Sequence, residues 1–179
     1  MTLAGADGTD DEVDGIGAAA HFGGPAALAC DGTNLYIIDG GNSVPNNVIR
    51  KLEIATGMVT TLAGKAGVAG DVDDIGAAAR FNGLRGMTTD GTSLFVVQAG
   101  EGPFSTNFVA GDLSGPVVRQ VELASGRVTT MAGTRGVWTC RPGVGAAAAF
   151  NVPLGISYDS FSHSLLVADG AEDVVLRIK

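Results

Sequence analysis

The chain has 179 residues, of which 45% are hydrophobic and 6% aromatic, and 28 are glycines. The chain is therefore long enough for one domain with a hydrophobic core, and its composition favours many tight turns over long helices. Eleven Lys and Arg face nineteen Asp and Glu for a formal net charge of -8, which disfavours nucleic acid and anionic membrane surfaces as partners. No apolar run reaches the roughly 18 to 20 residues of a membrane-spanning helix, and two cysteines are too few for a disulfide framework.

Short apolar segments separated by turn residues follow one another along the chain, and they predict an all-β fold. After a first segment, "MTLAG", come three repeats, at about 25–64, 84–133 and 153–179, within a single domain of residues 1–179. Each repeat offers strands a, b and c, and the first two add a strand d. Glycine-containing turns join a to b, as in "DGTN", and c to d, as in "ATGM". "MTLAG" matches strand d, so it is a strand d with no strands a to c ahead of it.

The segment before each strand a ends in the same way. Phe22, Phe81 and Phe150 each follow a run of alanines that begins with glycine, "GAAA" or "GAAAA". We expect this run to form one short helical turn that lays the phenylalanine between neighbouring sheets, because a large aromatic ring is suited to fill such a junction.

The repeats resemble the NHL repeat family, whose typical unit reads F-x-x-P-x-G-I-x-x-D, then N-L-Y-V-A-D, then I-R-K. The first repeat has "FGGPAALACD", "NLYIID" and "VIRKL", and the third has "FNVPLGISYD", "SLLVAD" and "VLRI". The second departs from the pattern, with the pair Gly83 and Leu84 at and beside the Pro position and Gln98 where strand b should end in Asp. The resemblance covers the whole chain and implies a β-propeller of four-stranded antiparallel blades, usually six in number.

Three blades cannot close a ring, because propellers typically have four to eight. The strand from Met1 to Gly5 lacks a sheet, and the third repeat, ending with the strand from Val174 to Lys179, lacks its strand d. We therefore expect a homodimer that completes six blades by exchanging these strands at two seams. The alternative, that the chain is an excerpt of a longer and possibly exported NHL protein, stays open. No cleavable targeting sequence precedes the first strand, so the compartment is not fixed.

In each blade the d-to-a crossings and the b-to-c loops emerge on one side, which we call the loop face, and the short turns emerge on the opposite, turn face. The loops differ in every repeat and hold 12 of the 19 carboxylates, so we expect an acidic loop face that carries the function. Four aspartates are candidates for a calcium site: Asp7, Asp10, Asp11 and Asp14. Their spacing lacks the regular alternation of an EF-hand loop, and we favour solvated surface charge as the explanation of this acidic stretch.

The third crossing breaks the acidic pattern and supplies the candidate binding residues. Arg135 and Arg141 flank Trp138, the only tryptophan, and the second b-to-c loop adds Phe104 and Phe108. Exposed aromatic and cationic side chains of this kind can stack a sugar or hold a protein partner. The alternative is that Trp138 folds back to plug the central channel or to pack on a neighbouring blade.

Three arginines, Arg50, Arg119 and Arg177, are interpreted as occupying one structural position on strand c. Asp39 and Asp169, at the ends of strand b, are the expected partners of the first and third, and Gln98 is expected to give the second a neutral hydrogen bond. We interpret all three arginines as part of the scaffold.

Catalysis receives little support from the sequence. Some six-bladed relatives of NHL repeats are lyases or hydrolases with zinc or calcium, but a zinc site needs a histidine cluster, and His21 and His163 are expected on opposite faces. No nucleophile motif is present, and no catalytic residue is assigned. We therefore predict a non-catalytic binding or assembly scaffold, without a required cofactor, whose loop face takes a protein or small ligand. The alternative is an enzyme of the propeller lyase or lactonase type with a calcium-dependent site.

Overall fold

The structure of the chain is a computed structural model that describes residues 2–7, 11–40, 47–100 and 115–178. These residues form twelve β-strands in three antiparallel sheets, together with three short 3₁₀ turns and no α-helix. The all-β prediction is confirmed. Within the described ranges, no helix has the length and apolar character needed to cross a membrane.

Each sheet is built from strands that follow one another in the chain. The first contains β1 (Gly15–Ile16), β2 (Ala27–Cys30), β3 (Asn34–Asp39), β4 (Val48–Glu53) and β5 (Met58–Gly64), in the order β1-β5-β4-β3-β2. The second contains β6 (Leu84–Thr89), β7 (Ser93–Gln98), β8 (Val117–Glu122) and β9 (Val128–Ala132), and the third contains β10 (Pro153–Asp159), β11 (Ser164–Asp169) and β12 (Val174–Ile178), both in chain order.

Aspartate side chains shape the turns between the first two strands of each repeat. Asp31 accepts hydrogen bonds from the backbone N–H groups of Thr33 (2.8 Å) and Asn34 (2.7 Å), and Asp90 accepts the equivalent pair in the second sheet. Burial acts to raise the pKa of Asp31, but hydrogen bonds from Asn34 and Thr33 outweigh it and hold that pKa well below its usual range. The Asp-Gly signal in the sequence therefore marks real turns, because the carboxylate satisfies backbone donors that the strands leave free.

The run of small residues before each phenylalanine forms a 3₁₀ turn, as predicted: Gly17–Ala19, Gly76–Ala78 and Gly145–Ala147. The first residue of each turn has φ between 54° and 57°, a left-handed conformation that favours glycine. Each turn places its phenylalanine on one side of the following sheet. Phe81 and Phe150 are fully buried between sheets, whereas Phe22 is only half-buried.

Two apolar cores lie between the sheets. Tyr36, Ile38 and Ile49 of the first sheet pack against a cluster of the second that includes Phe81. On the other side of the second sheet, Phe95, Val97 and Val118 pack against a cluster of the third that includes Phe150. β7 is buried along its whole length. Its four central residues, 94–97, are apolar on both faces, and burial of each such side chain contributes roughly 1.5–3 kcal/mol.

The three sheets meet along their first long strands. β6 contacts β2 on one side and β10 on the other. The approach of β6 to β10 is close: a Cβ built on Gly86 would lie 2.9 Å from the carbonyl oxygen of Leu154. The sheets therefore follow in chain order around a shared inner line, and their β2, β6 and β10 strands are the inner ones.

The placement of Arg177 beside Arg50 and Arg119 is wrong by one residue. Asp169 lies opposite Val174, as Asp39 lies opposite Val48, so the third-sheet counterpart of Arg50 and Arg119 is Leu176. Leu176 is buried, while Arg177 points to the opposite side of β12 and is exposed. Side chains alternate along a strand, so a shift of one residue moves a side chain to the other face.

Candidate functional site

The loop face is anchored by a buried side chain at the end of the second long strand of each sheet. Asp39 accepts hydrogen bonds from the backbone N–H of Gly24 at 2.8 Å, and Asp169 accepts one from Asn151 at 2.7 Å. In the first and third sheets this carboxylate therefore ties the incoming crossing to the sheet.

In the first sheet a buried arginine links the crossing to the strands. Arg50 is fully buried and forms ion pairs with Asp39 (3.0 Å) and Asp14 (2.9 Å), and its guanidinium lies 5.4 Å from the ring centroid of Phe22. The predicted Arg50–Asp39 pair is confirmed. Asp14 also accepts hydrogen bonds from the N–H and hydroxyl of Thr61, so both oxygens of this calcium candidate already bind protein donors.

The second sheet repeats this arrangement with more charge. Arg119 is fully buried, donates to Oε1 of Gln98 at 2.9 Å as predicted, and forms ion pairs with Asp71 (3.0 Å) and Asp73 (2.6 Å). Sequence reasoning placed these aspartates in the acidic loops without assigning them to an arginine. The sequence holds a signal for this assignment, because Asp14 and Asp73 each stand three positions before the first glycine of the 3₁₀ turn.

A second arginine from the third crossing completes this group. Arg135 lies with Nε 2.9 Å from Oδ2 of Asp71 and Nη2 3.1 Å from Oδ1 of Asp73, and 40% of its side chain is exposed. Its Nη2 also donates to the hydroxyl of Thr130 at 2.9 Å. We call Asp71, Asp73, Arg119 and Arg135 the charged cluster. Two cations and two carboxylates balance, so the cluster forms a polar but locally neutral patch on an acidic chain.

Burial and pairing act on the protonation of the charged cluster in opposite directions. Burial raises the pKa of Asp71, against the opposing charges of Arg119 and Arg135. At Asp73 burial also acts to raise the pKa, but the Thr130 N–H hydrogen bond and Arg119 outweigh it and the pKa is lowered. Burial lowers the pKa of Arg119, opposed by Asp71 and Asp73. Asp73 is therefore the carboxylate that the cluster holds firmly ionised.

The third sheet replaces this ionic arrangement by an apolar one. The bridges Val72 to Arg80 and Arg141 to Ala149 align the two crossings, so Cys140 and Pro142 stand where Asp71 and Asp73 stand in the second. Cys140 packs against the apolar cluster that contains Leu176, and burial together with the charge of Asp169 raises the pKa of its thiol. Both cysteines are free.

Two of the remaining predicted binding residues, Trp138 and Arg141, lie on the third crossing. Trp138 is half-buried, and a tight turn closed by the Val137 N–H and the Thr134 carbonyl (3.2 Å) stands directly before it. Arg141 is exposed, but its Nε donates to the carbonyl of Ala147 at 3.0 Å. Phe104 and Phe108 lie outside the described residues.

Among the calcium candidates, Asp7 and Asp11 are exposed, and Asp10 lies outside the described residues. Within the described part of the chain, no group of three or more His, Cys, Asp and Glu side chains is arranged to hold a metal ion. The two histidines lie apart: His21 belongs to the first crossing, and His163 stands in the turn between β10 and β11, where its Nδ1 lies 2.8 Å from the Tyr158 hydroxyl.

A cleft of about 500 Å³ opens on the turn face between the first and second sheets. Two of its polar groups are paired with each other, since the Tyr36 hydroxyl donates to Asp31 at 2.8 Å. Burial and the neighbouring Asp31 raise the pKa of Tyr36 well above its usual range.

The fold of the chain recurs in solved structures. An auxiliary nutrient binding protein from Bacteroides ovatus is 21% identical, with a TM-score of 0.65, over 90% of this chain and 38% of that protein. One from Bacteroides thetaiotaomicron is 19% identical, with a TM-score of 0.63, over 89% of this chain and 37% of that protein. The chain thus spans well under half the length of these proteins. No family model matches the chain, and no curated protein matches it in sequence.

Proposed function

We propose that the chain contributes blades to a six-bladed NHL-type β-propeller that acts as a non-catalytic binding module, with its ligand on the loop face. The resemblance of the repeats to NHL units and the order of the sheets along their inner strands support this architecture. The solved proteins that share the fold and are named as nutrient binding proteins support a role in binding. We assign the ligand to the carbohydrate class and place it at the third crossing.

One observation carries this assignment: the second b-to-c loop ends against the third crossing. Gly115, which directly follows residues 101–114, lies so close that a Cβ built on it would be 2.3 Å from the backbone nitrogen of Gly136. Gly136 stands between Arg135 and the half-buried Trp138. Gly115, the described end of this loop, thereby lies against the crossing that carries Trp138 and the fixed guanidinium of Arg135.

The chemistry of this region suits a sugar. An aromatic ring stacks on the apolar face of a pyranose, while an arginine held by carboxylates donates hydrogen bonds without losing much conformational freedom on binding. Arg135 is held in this way by Asp71 and Asp73 and still exposes 40% of its side chain. Trp138 supplies the ring.

The single tryptophan makes the test direct. We expect titration with a panel of mono- and oligosaccharides to change the fluorescence of Trp138, and we expect calorimetry to show at least a tenfold weaker affinity for Trp138→Ala and for Arg135→Ala. Phe161→Ala is the matched control, because Phe161 is 95% exposed in a turn of the opposite face, and it should leave the affinity unchanged.

Two results would contradict the proposal. One is that no saccharide in the panel changes the fluorescence or releases heat. The other is that Trp138→Ala binds as tightly as the unmodified chain while its melting temperature falls by several degrees, which would show that Trp138 packs rather than binds.

A further inference from the structure

The first sheet has an apolar side that no described residue of another sheet covers. We call the side of each sheet that bears its phenylalanine the front, and the opposite side the back. The fronts of the second and third sheets are covered by the back of the preceding sheet, and Phe81 and Phe150 are fully buried there. On the first sheet Phe22 is half-buried, Leu28 is 63% exposed, and a groove of about 220 Å³ lies open beside them.

Residues 3–5 occupy the place of the outermost long strand of a sheet in front of the first. A Cβ built on Gly57 would lie 3.2 Å from the carbonyl oxygen of Leu3, and one built on Gly126 would lie 2.9 Å from that of Leu62, in β5. The Gly5 N–H donates to the Gly17 carbonyl at 3.0 Å, just as that of Gly133 donates to Gly145 at 3.1 Å.

The side-chain packing of residues 3–5 also matches that of the outermost long strand of a sheet. Ala4 and Phe22 both pack against one buried cluster of the first sheet, as Ala63 of β5 and Phe81 share a cluster between the first and second sheets. The segment is therefore positioned as the fourth strand of a sheet whose other three strands no described residue of this chain supplies.

The third sheet lacks a fourth strand among the described residues, the kind of strand that residues 3–5 are positioned to form. It has three strands among the described residues, and β12 pairs only with β11. The register makes Leu166, Ala168 and Val175 the counterparts of Tyr36, Ile38 and Ile49, which cover Phe81. Ala168 and Val175 are exposed, the latter by 69%. The back of the third sheet is thus an apolar surface of the kind that covers a front elsewhere in the chain.

We propose that the third sheet of a second copy of the chain covers the front of the first sheet, and that residues 2–5 of each copy become the fourth strand beside β12 of the other. The chain's own third sheet cannot do this, because the second sheet stands between it and the first. The reciprocal arrangement is a two-fold symmetric contact that leaves neither seam with an open edge.

The existing sheets fix the register of this contact. In the first sheet Val48 pairs with Gly64 and Ile49 pairs with Ala63. By the same register, Val174 of one copy pairs with Gly5 of the other, and Val175 pairs with Ala4. Directly opposed residues in antiparallel strands have Cβ atoms about 4.5–5.5 Å apart, which is close enough for a disulfide after a small adjustment.

A cross-linking experiment tests both the partner and the register. In a background with Cys30→Ser and Cys140→Ala, we mix Ala4→Cys protein with Val175→Cys protein under mild oxidation. We expect a covalent species of twice the 17.9 kDa chain mass on a non-reducing denaturing gel. Val174→Cys replaces Val175→Cys in the matched control, because its side chain points to the other side of β12. An equal yield in the control, or no covalent species, would overturn the proposal.

Light scattering gives an independent reading of the same contact. The unmodified chain should have twice the 17.9 kDa mass, and Val175→Glu should have the single mass with an unchanged circular dichroism spectrum. Val68→Glu is the control, since Val68 lies on a crossing and is 38% exposed. A single mass for the unmodified chain at 100 µM would overturn the proposal. That result is the one expected if a longer chain supplies the missing blades. Neither assay reads the Trp138 fluorescence, so the carbohydrate proposal stands or falls separately.

Discussion

The buried arginines show how one position can be built in two ways within the same chain. Arg50 and Arg119 are fully buried and paired with carboxylates, while Leu176 takes the same place in the third sheet among apolar neighbours. A buried ion pair is costly to desolvate, and its replacement by a packed apolar group is often neutral. Relative to the second sheet, the third sheet is therefore an internal example of such a replacement, made at the arginine and at the positions of Asp71 and Asp73 together.

This comparison predicts the outcome of a substitution series in the second sheet. Arg119→Leu should lower the free energy of unfolding by about 3 kcal/mol, because it leaves the buried Asp71 with Arg135 as its remaining ion-pair partner. Adding Asp71→Cys, the residue that the third sheet uses, should recover at least half of the loss. Urea denaturation measures both values.

Arg85→Leu is the matched control for this series, since Arg85 is exposed on β6; its effect should stay within about 0.5 kcal/mol. A double variant that is less stable than Arg119→Leu alone would show that the carboxylate stabilises the sheet through contacts other than the arginine.

At the residue scale, some of these contacts could be predicted from the sequence and others could not. The Arg50–Asp39 pair was predictable because both residues stand on neighbouring strands at a fixed place in the repeat. The pairing of Asp71 and Asp73 with Arg119 was missed, because it joins a crossing to a strand more than forty positions later. The misplacement of Arg177 arose from matching arginine to arginine rather than matching "VVL" to "VIR" and "VVR" residue by residue.

At the element scale the recurring 3₁₀ turn was the best predicted feature, because its sequence is nearly the same three times and its first glycine has a specific conformation. Gly76 has a φ of 54°, and a Cβ built on it would meet only the Leu62 carbonyl oxygen, at 3.9 Å. The left-handed backbone conformation, rather than a lack of space for a side chain, is therefore what requires glycine at this position.

Gly76→Ala isolates this conformational cost. We expect the free energy of unfolding to fall by about 1–2 kcal/mol, the usual penalty for placing a residue with a Cβ in the left-handed region. Gly155→Ala in β10 is the matched control, since a Cβ there meets nothing within 4 Å and its φ lies outside that region; it should be neutral or slightly stabilising. Equal losses for the two variants in thermal melts would mean that the turn tolerates another backbone conformation.

The elements also show where sequence reasoning stops. Gly and Asp signals located the turns because those residues act on their own backbone. They could not give the strand β1 (Gly15–Ile16), which pairs with β5 along the outer edge of the first sheet. That pairing is set by the path of the whole crossing rather than by the residues in it. The same limit applies to Gly115, whose close approach to Gly136 depends on the paths of the two segments that flank the paired strands β8 and β9.

At the scale of the whole molecule, the three sheets are chemically similar but differently covered. The second sheet is packed on both sides, the first on its back and the third on its front. In a row of repeats that contact only their neighbours, stability is a sum of each repeat's own contribution and its interfaces. The central sheet, with two interfaces, should therefore open last.

Hydrogen exchange tests this order and separates it from assembly. In dilute protein we expect the backbone amides of β7 and β8 to exchange slowest and those of β12 to exchange fast, because β12 has a strand on one side and little covering its back. If a second copy supplies the missing strand, the outward amides of β12 and the amides near Phe22 should slow markedly at high concentration, because association then adds to their opening free energy. The amides of β7 and β8 should show the smallest relative change, since their strands are already covered on both sides. Equal protection of all three sheets in dilute protein would contradict the order, and protection of β12 that is independent of concentration would mean that its edge is covered from within one chain.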